Sequence, residues 1–508
     1  MKIVKNGPQL WENLHCTVKQ PITDLYDLVN ETTGTPLENY HDTTRGIQDI
    51  MADCIRNHLS LRALGGSWSF TPIAATDGII LNTRGLNSVF TISASSLNPN
   101  YKGKPEELSF VQCGNSIWEL NNYLNPRGRS LKTCGASNGQ TIVGAMSTGT
   151  HGSAIDFGAI QDYVKGLHII TGPNSDVYLE RKSYPVVSET FIAKLNTSLI
   201  QDDELFNAAL VSMGGMGFIH GVMIETEPLF LLECSMRKVP FDQQLFDLMT
   251  RLDFKHPQLP YADKRPFQFQ VMINPYDMKN GVMMTTMYKQ PYRKDYTPPE
   301  IKDDVLGPGD DAPCFIGKLT QVAKSLVPAI VNNLLAASLK PYEKKIGTLA
   351  EIFNNFNIRG KVASAAVGVA KEDCIKALEL LLKMNEEHHF VGLFACRFVK
   401  KSDALLAFTR FDHTCIIELD GVLSKESLKF YDLFCDAMEK SGIAFTYHWG
   451  KMNLLNADRV KRMYGDYYLR FLFARNKLLQ EPMLQVFNNS IFKDWGFENG
   501  GNARSVWV

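Results

Sequence analysis

The sequence predicts an α+β fold with more than one structural unit, one of them built on an antiparallel sheet. Three features lead to this prediction. A length of 508 residues exceeds that of a single small domain. Strand-like runs separated by turn residues fill the first half of the chain, and strands alternate with helices in the second half. Hydrophobic residues make up 44% of the chain, which is enough for a sizeable core.

In the first unit, residues 22–60 are expected to be helical or turn, because Leu25, Leu28, Ile47 and Ile50 recur at roughly helical spacing. Alternating apolar residues and the turn residues between them predict the elements that follow. We expect strands at 59–64, 78–82 and 108–112, a helix at 116–124, and strands at 164–170 and 218–224.

In the second unit, alternating strands and helices favour an antiparallel sheet covered on one face. Strands are expected near 267–274, 282–288, 390–399 and 414–419, and helices near 316–340, 373–385 and 425–441. Residues 296–313 are expected to form a long surface loop. We therefore divide the chain into residues 1–232, residues 233–454 and a C-terminal segment, 455–508, that packs back on the first unit.

Charge and cysteine patterning exclude several classes of function. Lys and Arg number 53 against 54 Asp and Glu, so no net field would draw the chain onto nucleic acid or an anionic membrane. The 10 cysteines form no C-x-x-C pair, so we expect no metal site. No continuous apolar run precedes Trp11, and segment 325–339 is too short to span a bilayer. We therefore expect a cytoplasmic protein without a membrane span.

A first candidate binding loop follows the strand expected at 59–64. Gly65 and Gly66 allow successive backbone N–H groups to converge on one centre, and Ser67 and Ser69 add hydroxyl donors. Such a loop can bind a diphosphate, and a side chain at Gly66 would then stand where the diphosphate approaches. A tight turn between two strands is the alternative interpretation.

A second candidate loop lies about 75 residues further on, within 135–158, and is rich in glycine, serine and threonine. Small residues allow the backbone to contact a large flat ligand, so the two loops together suggest one dinucleotide. Neither loop is the G-x-G-x-x-G opening of a nicotinamide-binding βαβ unit, because no acidic residue follows at the required distance.

These segments resemble the aldonolactone oxidase and alditol oxidase branch of the vanillyl-alcohol-oxidase-type flavoproteins. The order and spacing agree as well, and Trp11 with Asn13 resembles the N-terminal signature of that branch. Only 290–390 remains unplaced. The resemblance rests on segments 64–69, 133–153, 214–219, 448–451 and 481–488, of which Q-T-I-x-G-x-x-S-T-G-T-H-G and H-W-G-K are the most specific.

The resemblance implies a two-subdomain FAD-binding fold of the PCMH type, with an antiparallel-sheet substrate domain over the flavin. It places the pyrophosphate on 64–69 and the isoalloxazine against 134–153. The FAD-binding residues that it implies are Leu64, Gly65, Gly66, Ser67, Trp68, Ser69, Cys134, Gly135, Ser137, Thr141, Gly144, Ser147, Thr148, His151, Gly152, Gly217, Ile219 and His448.

Two positions bear on covalent attachment and one on the electron acceptor. Trp68 stands where the family often carries a flavin-linked histidine, and indole offers no nitrogen for that bond. Cys134 stands where distant relatives place a flavin-linked cysteine, although a buried free thiol is the favoured interpretation. Gly135 resembles an oxygen gate, because the smallest side chain leaves room beside the flavin.

On the substrate side, the resemblance implies catalytic roles for Lys451, in the H-W-G-K segment, and for Arg397. Arg397 belongs to an E-x-R strand whose glutamate is replaced by Ala395, and Glu418 occupies a family histidine position as a candidate base. Surface charges are the alternative interpretation of Arg397 and Glu418. His151 is expected to be structural, and His448 and Trp449 could simply pack beside the flavin.

The sequence therefore predicts an FAD-dependent oxidoreductase that removes hydride from a carbon bearing a hydroxyl or an amine. Electrons would pass to O2 or to another acceptor. The missing glutamate and histidine argue against an ordinary polyol or aldonolactone as the small-molecule substrate. The alternative is a flavin-binding or small-molecule-binding protein that has lost turnover. A hydrolase is not supported, because neither G-x-S-x-G nor H-E-x-x-H occurs.

Overall fold

The computed structural model describes residues 1–498 except 263, 301, 303–304, 311–325 and 359. The N-terminal part of the chain mixes strands with short helices. Its strands are β1 (Lys2–Lys5), β2 (Gln9–Glu12), β3 (Lys19–Ile22), β4 (Asp24–Val29), β5 (Leu61–Leu64), β6 (Ile79–Gly85), β7 (Val89–Thr91), β8 (Leu108–Gln112), β9 (Arg129–Ser130), β10 (Val164–Gly172), β11 (Ser175–Glu180), β12 (Ser198–Gln201), β13 (Phe218–Glu225) and β14 (Glu227–Pro228). Its helices are α1 (Pro36–Arg56), α2 (Ile117–Leu124), α3 (Ile142–Thr148), α4 (Glu189–Leu195) and α5 (Asp203–Leu210).

Two sheets organise this part. A four-stranded sheet has the order β1-β4-β6-β5, and a six-stranded sheet has the order β12-β11-β10-β13-β8-β7. Helix α1 begins at a capping box, in which the Thr35 hydroxyl accepts the Glu38 N–H and the Glu38 carboxylate accepts the Thr35 N–H. Its buried face includes Ile47 and Met51, which pack in a core with residues of the four-stranded sheet.

The expectation that residues 22–60 are helical or turn is wrong at the start of that range. Leu25 and Leu28 belong to strand β4, which pairs in parallel with β6 and antiparallel with β1. A spacing of three residues fits a helix, but Tyr26 and Leu28 are buried in a period-two pattern that sheet pairing selects. The helical part of the prediction holds from Pro36 onward.

The second part of the chain forms an eight-stranded antiparallel sheet in the order β18-β15-β17-β16-β20-β21-β19-β22. Helices α9 and α10 pack on one face of this sheet, as the sequence predicted. The strands are β15 (Phe230–Val239), β16 (Gln268–Ile273), β17 (Val282–Pro291), β18 (Tyr342–Thr348), β19 (Val362–Ala370), β20 (Gly392–Lys400), β21 (His413–Val422) and β22 (Phe445–Tyr447), and the helices are α6 (Gln243–Arg251), α7 (Val327–Ile330), α8 (Leu349–Ile352), α9 (Cys374–Glu387) and α10 (Lys425–Lys440).

The sequence did not predict β15, β18, β19 or β22. Strand β15 spans the proposed boundary between residues 232 and 233, and it pairs only with strands of the eight-stranded sheet among the described residues. We therefore propose that the domain boundary lies before Phe230. The predicted helix at 316–340 and the predicted loop at 296–313 fall partly outside the described residues.

The C-terminal segment consists of α11 (Ala457–Tyr464), α12 (Asp466–Leu478), α13 (Glu481–Val486) and α14 (Ser490–Asp494). The buried Arg475 side chain of α12 donates hydrogen bonds to the carbonyls of Gly215 and Leu484. Arg62, buried on β5, donates to the carbonyls of Gly214 and Phe487. These contacts tie the segment to the loop before β13. In the part of the chain that the structure describes, no helix has the length and hydropathy needed to cross a bilayer.

Candidate active site

One cavity brings together both candidate loops and one face of the eight-stranded sheet. The loop after β5, helix α3 with the residues before and after it, and the turn after β22 contribute to its wall. Of the residues that the sequence singled out, the cavity is lined by Leu64, Gly65, Gly66, Ser67, Trp68, Ser69, Gly135, Ser137, Thr141, Gly144, Ser147, Thr148, His151, Gly217, Ile219, Arg397, Glu418, His448 and Lys451. Cys134 and Gly152 lie outside this lining.

The turn between β2 and β3 contacts the first loop. Asn13 donates through Nδ2 to the Ser69 carbonyl at 2.8 Å, and its Oδ1 accepts the backbone N–H of Thr17 at 2.9 Å. The Leu14 N–H donates to the Ser67 carbonyl at 3.3 Å. The backbone carbonyls of the loop are therefore engaged. No acceptor among the described residues receives the backbone N–H groups of 66–69, so these donors can bind phosphate oxygens.

Glycine at 65 and 66 serves the contact between the two loops. A Cβ at Gly65 would lie 2.1 Å from Thr141 Oγ1, and a Cβ at Gly66 would lie 2.6 Å from the Gly139 carbonyl oxygen. From the sequence, we expect a Cβ at Gly66 to stand where the pyrophosphate approaches, and this stays a prediction. The structure adds that this Cβ would also contact the second loop and the Trp68 ring.

We predict that Gly66→Val abolishes FAD binding, because the added carbons would separate the two loops that form the cavity. The measurement is the FAD content per chain after incubation with excess FAD. Gly66→Ala, which adds one carbon, should lose less affinity than Gly66→Val. A Gly66→Val protein that takes up one FAD per chain with wild-type affinity would contradict the prediction.

The second loop leads into helix α3, whose N-cap is Thr141. Its hydroxyl accepts the Gly144 N–H at 3.3 Å, and a Cβ at Gly144 would lie 2.9 Å from the same oxygen. Ser147 and Thr148 lie in the last turn of the helix, which ends at Gly149 with a φ of 76°. This left-handed conformation favours glycine. The helix therefore presents small and hydroxyl residues to the cavity.

Cys134 and Gly152 pack against each other, and each is next in the chain to a residue that lines the cavity, Gly135 and His151. Cys134 is fully buried, and burial raises the pKa of its thiol to about 12, so it is a neutral thiol rather than a nucleophilic thiolate. A Cβ at Gly152 would lie 2.5 Å from the Cys134 carbonyl oxygen. This packing supports the interpretation of Cys134 as a buried free cysteine. Trp68, in contrast, lines the cavity and offers no linking atom.

We therefore predict that the flavin is not covalently attached. Acid precipitation of the FAD-loaded protein should leave the flavin in the supernatant, for wild type and for Cys134→Ala alike. If flavin remains with the precipitated wild-type protein but not with Cys134→Ala, Cys134 is the linking residue. Mass spectrometry of the peptide that contains residue 134 reports the same linkage directly.

A buried charged cluster lies at the other side of the cavity. Glu418 on β21 forms an ion pair with Arg397 on β20, with 2.9 Å between Oε2 and Nε. The Lys451 Nζ lies 3.4 Å from Glu418 Oε1 and 3.5 Å from Asp420 Oδ1. Glu418 is 2% exposed and Arg397 is 5% exposed, so the surface-charge interpretation of these residues is wrong. Ala395 is the direct cross-strand partner of Glu418, and both therefore share one face of the sheet.

The charge state of the cluster follows from its surroundings. Burial alone would raise the pKa of Glu418, but the cations of Arg397 and Lys451 lower it from 4.5 to about 2. Burial lowers the pKa of His151 to about 4, and it also lowers the pKa of His448. Near neutral pH the carboxylate is ionised and both imidazoles are neutral. His151 Nδ1 lies 2.9 Å from the Gly152 carbonyl and donates to it, so Nε2 carries the lone pair.

This depressed pKa predicts the pH dependence of stability. Between pH 4.5 and about 2 the unfolded chain binds a proton at Glu418 that the folded protein does not bind, so the stability that the carboxylate contributes is lost as the pH falls through this window. Wild type should be more stable than Glu418→Gln at pH 7, and the difference should shrink below pH 4.5. Thermal unfolding midpoints of both proteins across this range are the measurement. A difference that stays constant down to pH 3 would contradict the prediction.

Several residues of the site were not predicted. Asp420 follows Glu418 by two residues on one strand, a period-two signal that could have identified it. Ser364, Ile358 and Val362 lie in the part of the sequence that the resemblance left unplaced, and all three line the cavity. His15 also lines it, with Nε2 hydrogen-bonded to the Trp68 carbonyl at 3.0 Å.

Comparison with known proteins bears on the cofactor and on the fold. A family model described as an FAD binding domain matches residues 40–178. The chain is 23% identical over 444 residues to the L-gulono-1,4-lactone dehydrogenase of Mycobacterium tuberculosis, and the alignment covers 85% of this chain and 90% of that protein. A cholesterol oxidase from B. sterolicum has the same fold, with a TM-score of 0.68, 14% identity and 97% of both chains covered. A VAO-type flavoprotein from Myceliophthora thermophila matches with a TM-score of 0.60 and 11% identity over 92% of this chain and 79% of that one.

The free N–H groups of 66–69, the glycine-rich contact between the two loops and the FAD binding domain together define the class: the chain is an FAD-dependent oxidoreductase. The FAD binding domain and the curated relatives confirm the FAD cofactor and the resemblance to vanillyl-alcohol-oxidase-type flavoproteins found in the sequence. The solved structures confirm the α+β fold. The flavin-binding protein without turnover is not favoured.

Proposed function

We propose that this enzyme oxidises the CH–OH group of a small molecule in the cavity between the FAD loops and the eight-stranded sheet. The observation that carries the proposal is that Lys451, Glu418 and Arg397 line the same cavity as the loops proposed to bind FAD. A buried carboxylate between two cations is not needed for binding a flavin alone, because it costs desolvation energy. Such a cluster suits a reaction in which a substrate proton has to be accepted and developing negative charge has to be stabilised.

The roles of the residues follow from their geometry. The two loops would hold FAD, which would supply the hydride acceptor for oxidation of the substrate carbon. The ammonium of Lys451 would stabilise the negative charge that the flavin gains during hydride transfer. Glu418, ionised near neutral pH, would accept the hydroxyl proton, and Arg397 would hold this carboxylate in place and contact the substrate oxygen. The burial of the cluster keeps water away from these groups.

The substrate class is narrowed by the position of Glu418. In the sequence, Ala395 and Glu418 argue against an ordinary polyol or aldonolactone substrate, because the glutamate and the histidine of the family pattern are absent. The register shows that a carboxylate is still present on this face, directly across from Ala395. With a relative named L-gulono-1,4-lactone dehydrogenase, sugar lactones and other neutral hydroxyl compounds are the first candidates, ahead of amines.

The proposal also names O2 as the electron acceptor and the cytoplasm as the location of the protein. Gly135 lines the cavity, and a Cβ there would lie 3.1 Å from Thr150 Cγ2, so only glycine fits without a shift. The place of Gly135 in the cavity lining, together with its resemblance to an oxygen gate, is the reason for proposing O2 as acceptor. Another acceptor is the alternative, because the curated relative is named a dehydrogenase. We further propose a cytoplasmic location.

The test is an anaerobic screen of lactones, alcohols and amines with the FAD-loaded protein, followed by flavin absorbance. We expect a hydroxyl compound to bleach the flavin, and admission of O2 to restore the colour. Restoration only by an artificial acceptor would identify a dehydrogenase. An FAD-loaded protein that no hydroxyl compound bleaches, although dithionite does, would contradict the proposal.

A further inference from the structure

Lys451 is positioned by two side chains that the sequence analysis did not identify. Its Nζ donates to Ser364 Oγ at 2.6 Å, which is much shorter than its separation of 3.4 Å from Glu418 Oε1. The Ser364 hydroxyl in turn donates to Asp420 Oδ1 at 2.6 Å. Lysine, hydroxyl and carboxylate thus form one chain of hydrogen bonds that ends in a charge.

The sheet fixes both supporting residues. Ser364 on β19 and Asp420 on β21 are direct cross-strand partners, so their side chains leave the same face at neighbouring points. Ser364 is fully buried and Asp420 is 2% exposed. Rigid strands therefore hold the acceptors, whereas Lys451 comes from a turn.

The backbone of β19 also holds that turn. The His448 N–H donates to the Ala366 carbonyl at 3.0 Å, and the Met452 N–H donates to the Ser364 carbonyl at 2.8 Å. The turn is thus fastened on both sides of Lys451, which leaves the long lysine side chain as the part that needs a partner. A flexible ammonium would lose the benefit of preorganisation that the proposed reaction requires.

We propose that Ser364 and Asp420 are positioning residues that hold the Lys451 ammonium toward the flavin. Ser364 orients the ammonium, and Asp420 orients the Ser364 hydroxyl so that its lone pairs face Nζ. The inference rests on the proposed function of Lys451 and goes beyond it by assigning how that cation is placed. The charged and titratable groups around Lys451 in the described residues include Glu418, Asp420, Arg397, His15, His151 and His448.

A midpoint potential can distinguish positioning from a simple charge effect. A fixed cation near bound flavin favours its reduced, anionic form and so raises the potential. If Asp420 acted only as a nearby negative charge, Asp420→Asn would raise the potential. If it positions Lys451, Asp420→Asn lowers the potential, because the ammonium is no longer held.

The experiment measures the midpoint potential of bound FAD, by equilibration with a reference dye, in FAD-loaded wild type, Ser364→Ala, Asp420→Asn, Lys451→Met and the two double variants with Lys451→Met. We expect Ser364→Ala and Asp420→Asn each to lower the potential by at least half of the shift caused by Lys451→Met. Neither should lower it further in the Lys451→Met background. Ser364→Thr, which keeps the hydroxyl, should retain the wild-type value.

Asp432→Asn, which removes an exposed carboxylate from α10, is the matched control and should change nothing. A raised or unchanged potential in Asp420→Asn, or equal shifts with and without Lys451, would overturn the inference while leaving Lys451 in its proposed role. An unchanged potential in Lys451→Met would overturn that role and this inference with it. The FAD content of each variant identifies any that fail to fold. If Asp420→Asn fails to fold, the midpoint potential of Ser364→Ala decides whether the inference holds.

Discussion

Lys451→Met is expected to slow flavin reduction by about two to three orders of magnitude, the loss typical of one preorganised donor. The reason is that the ammonium would act on charge that is present in the transition state and not in the bound substrate. Methionine keeps the length of the side chain and removes its charge. Substrate affinity should change far less than the rate. Anaerobic stopped-flow reduction over a range of substrate concentrations separates the two effects.

Lys400→Met is a suitable control, because Lys400 is exposed at the end of β20, outside the cavity lining. The flavin of Lys400→Met should be reduced by substrate at the wild-type rate. Near-wild-type reduction in Lys451→Met would show that the catalytic role taken from the family resemblance does not apply to this chain. An equal loss in both variants would indicate a general effect of charge.

Glu418→Ala should be the most damaging change for stability and activity together. It leaves the buried Arg397 and the half-buried Lys451 with one counter-charge fewer, and breaking a buried pair such as Arg397–Glu418 typically costs about 3–5 kcal/mol. We also expect flavin reduction to slow by about a hundredfold, because a positioned proton acceptor is lost. The thermal unfolding midpoint and stopped-flow reduction measure the two effects.

The register offers a rescue. Ala395 lies directly opposite Glu418, so Ala395→Glu should return a carboxylate to the same face from the neighbouring strand. We expect the exchange Ala395→Glu with Glu418→Ala to recover at least about tenfold of the lost rate and part of the lost stability. Glu379→Ala, at an exposed position on α9, is the control for a lost surface carboxylate. An exchange variant no better than Glu418→Ala would show that the position of this carboxylate on β21 itself is required.

Local sequence signals determined much of the FAD side of the site. Glycine, serine and threonine cluster in two short segments of the sequence. In each segment, such as Gly65 to Ser69, residues that are neighbours in the chain line the same cavity. Motifs of this kind can be read without a structure, because the residues that share a ligand are neighbours in the chain. Helix α10, with its helical periodicity, and strand β13, a short apolar run that follows glycines, were predicted for the same reason.

Only the tertiary structure shows which residues meet in the charged cluster and which strands pair with each other. Nothing in the sequence pairs Glu418 with Ala395, or Ser364 with Asp420, because these residues meet only through the register of β19, β20 and β21. The same holds for Leu25 and Leu28, whose spacing fits a helix while their pairing with β6 makes a strand. Local periodicity determines where a side chain could be buried, whereas long-range pairing determines beside which other side chain it lies, and the chemistry of this site depends on the latter.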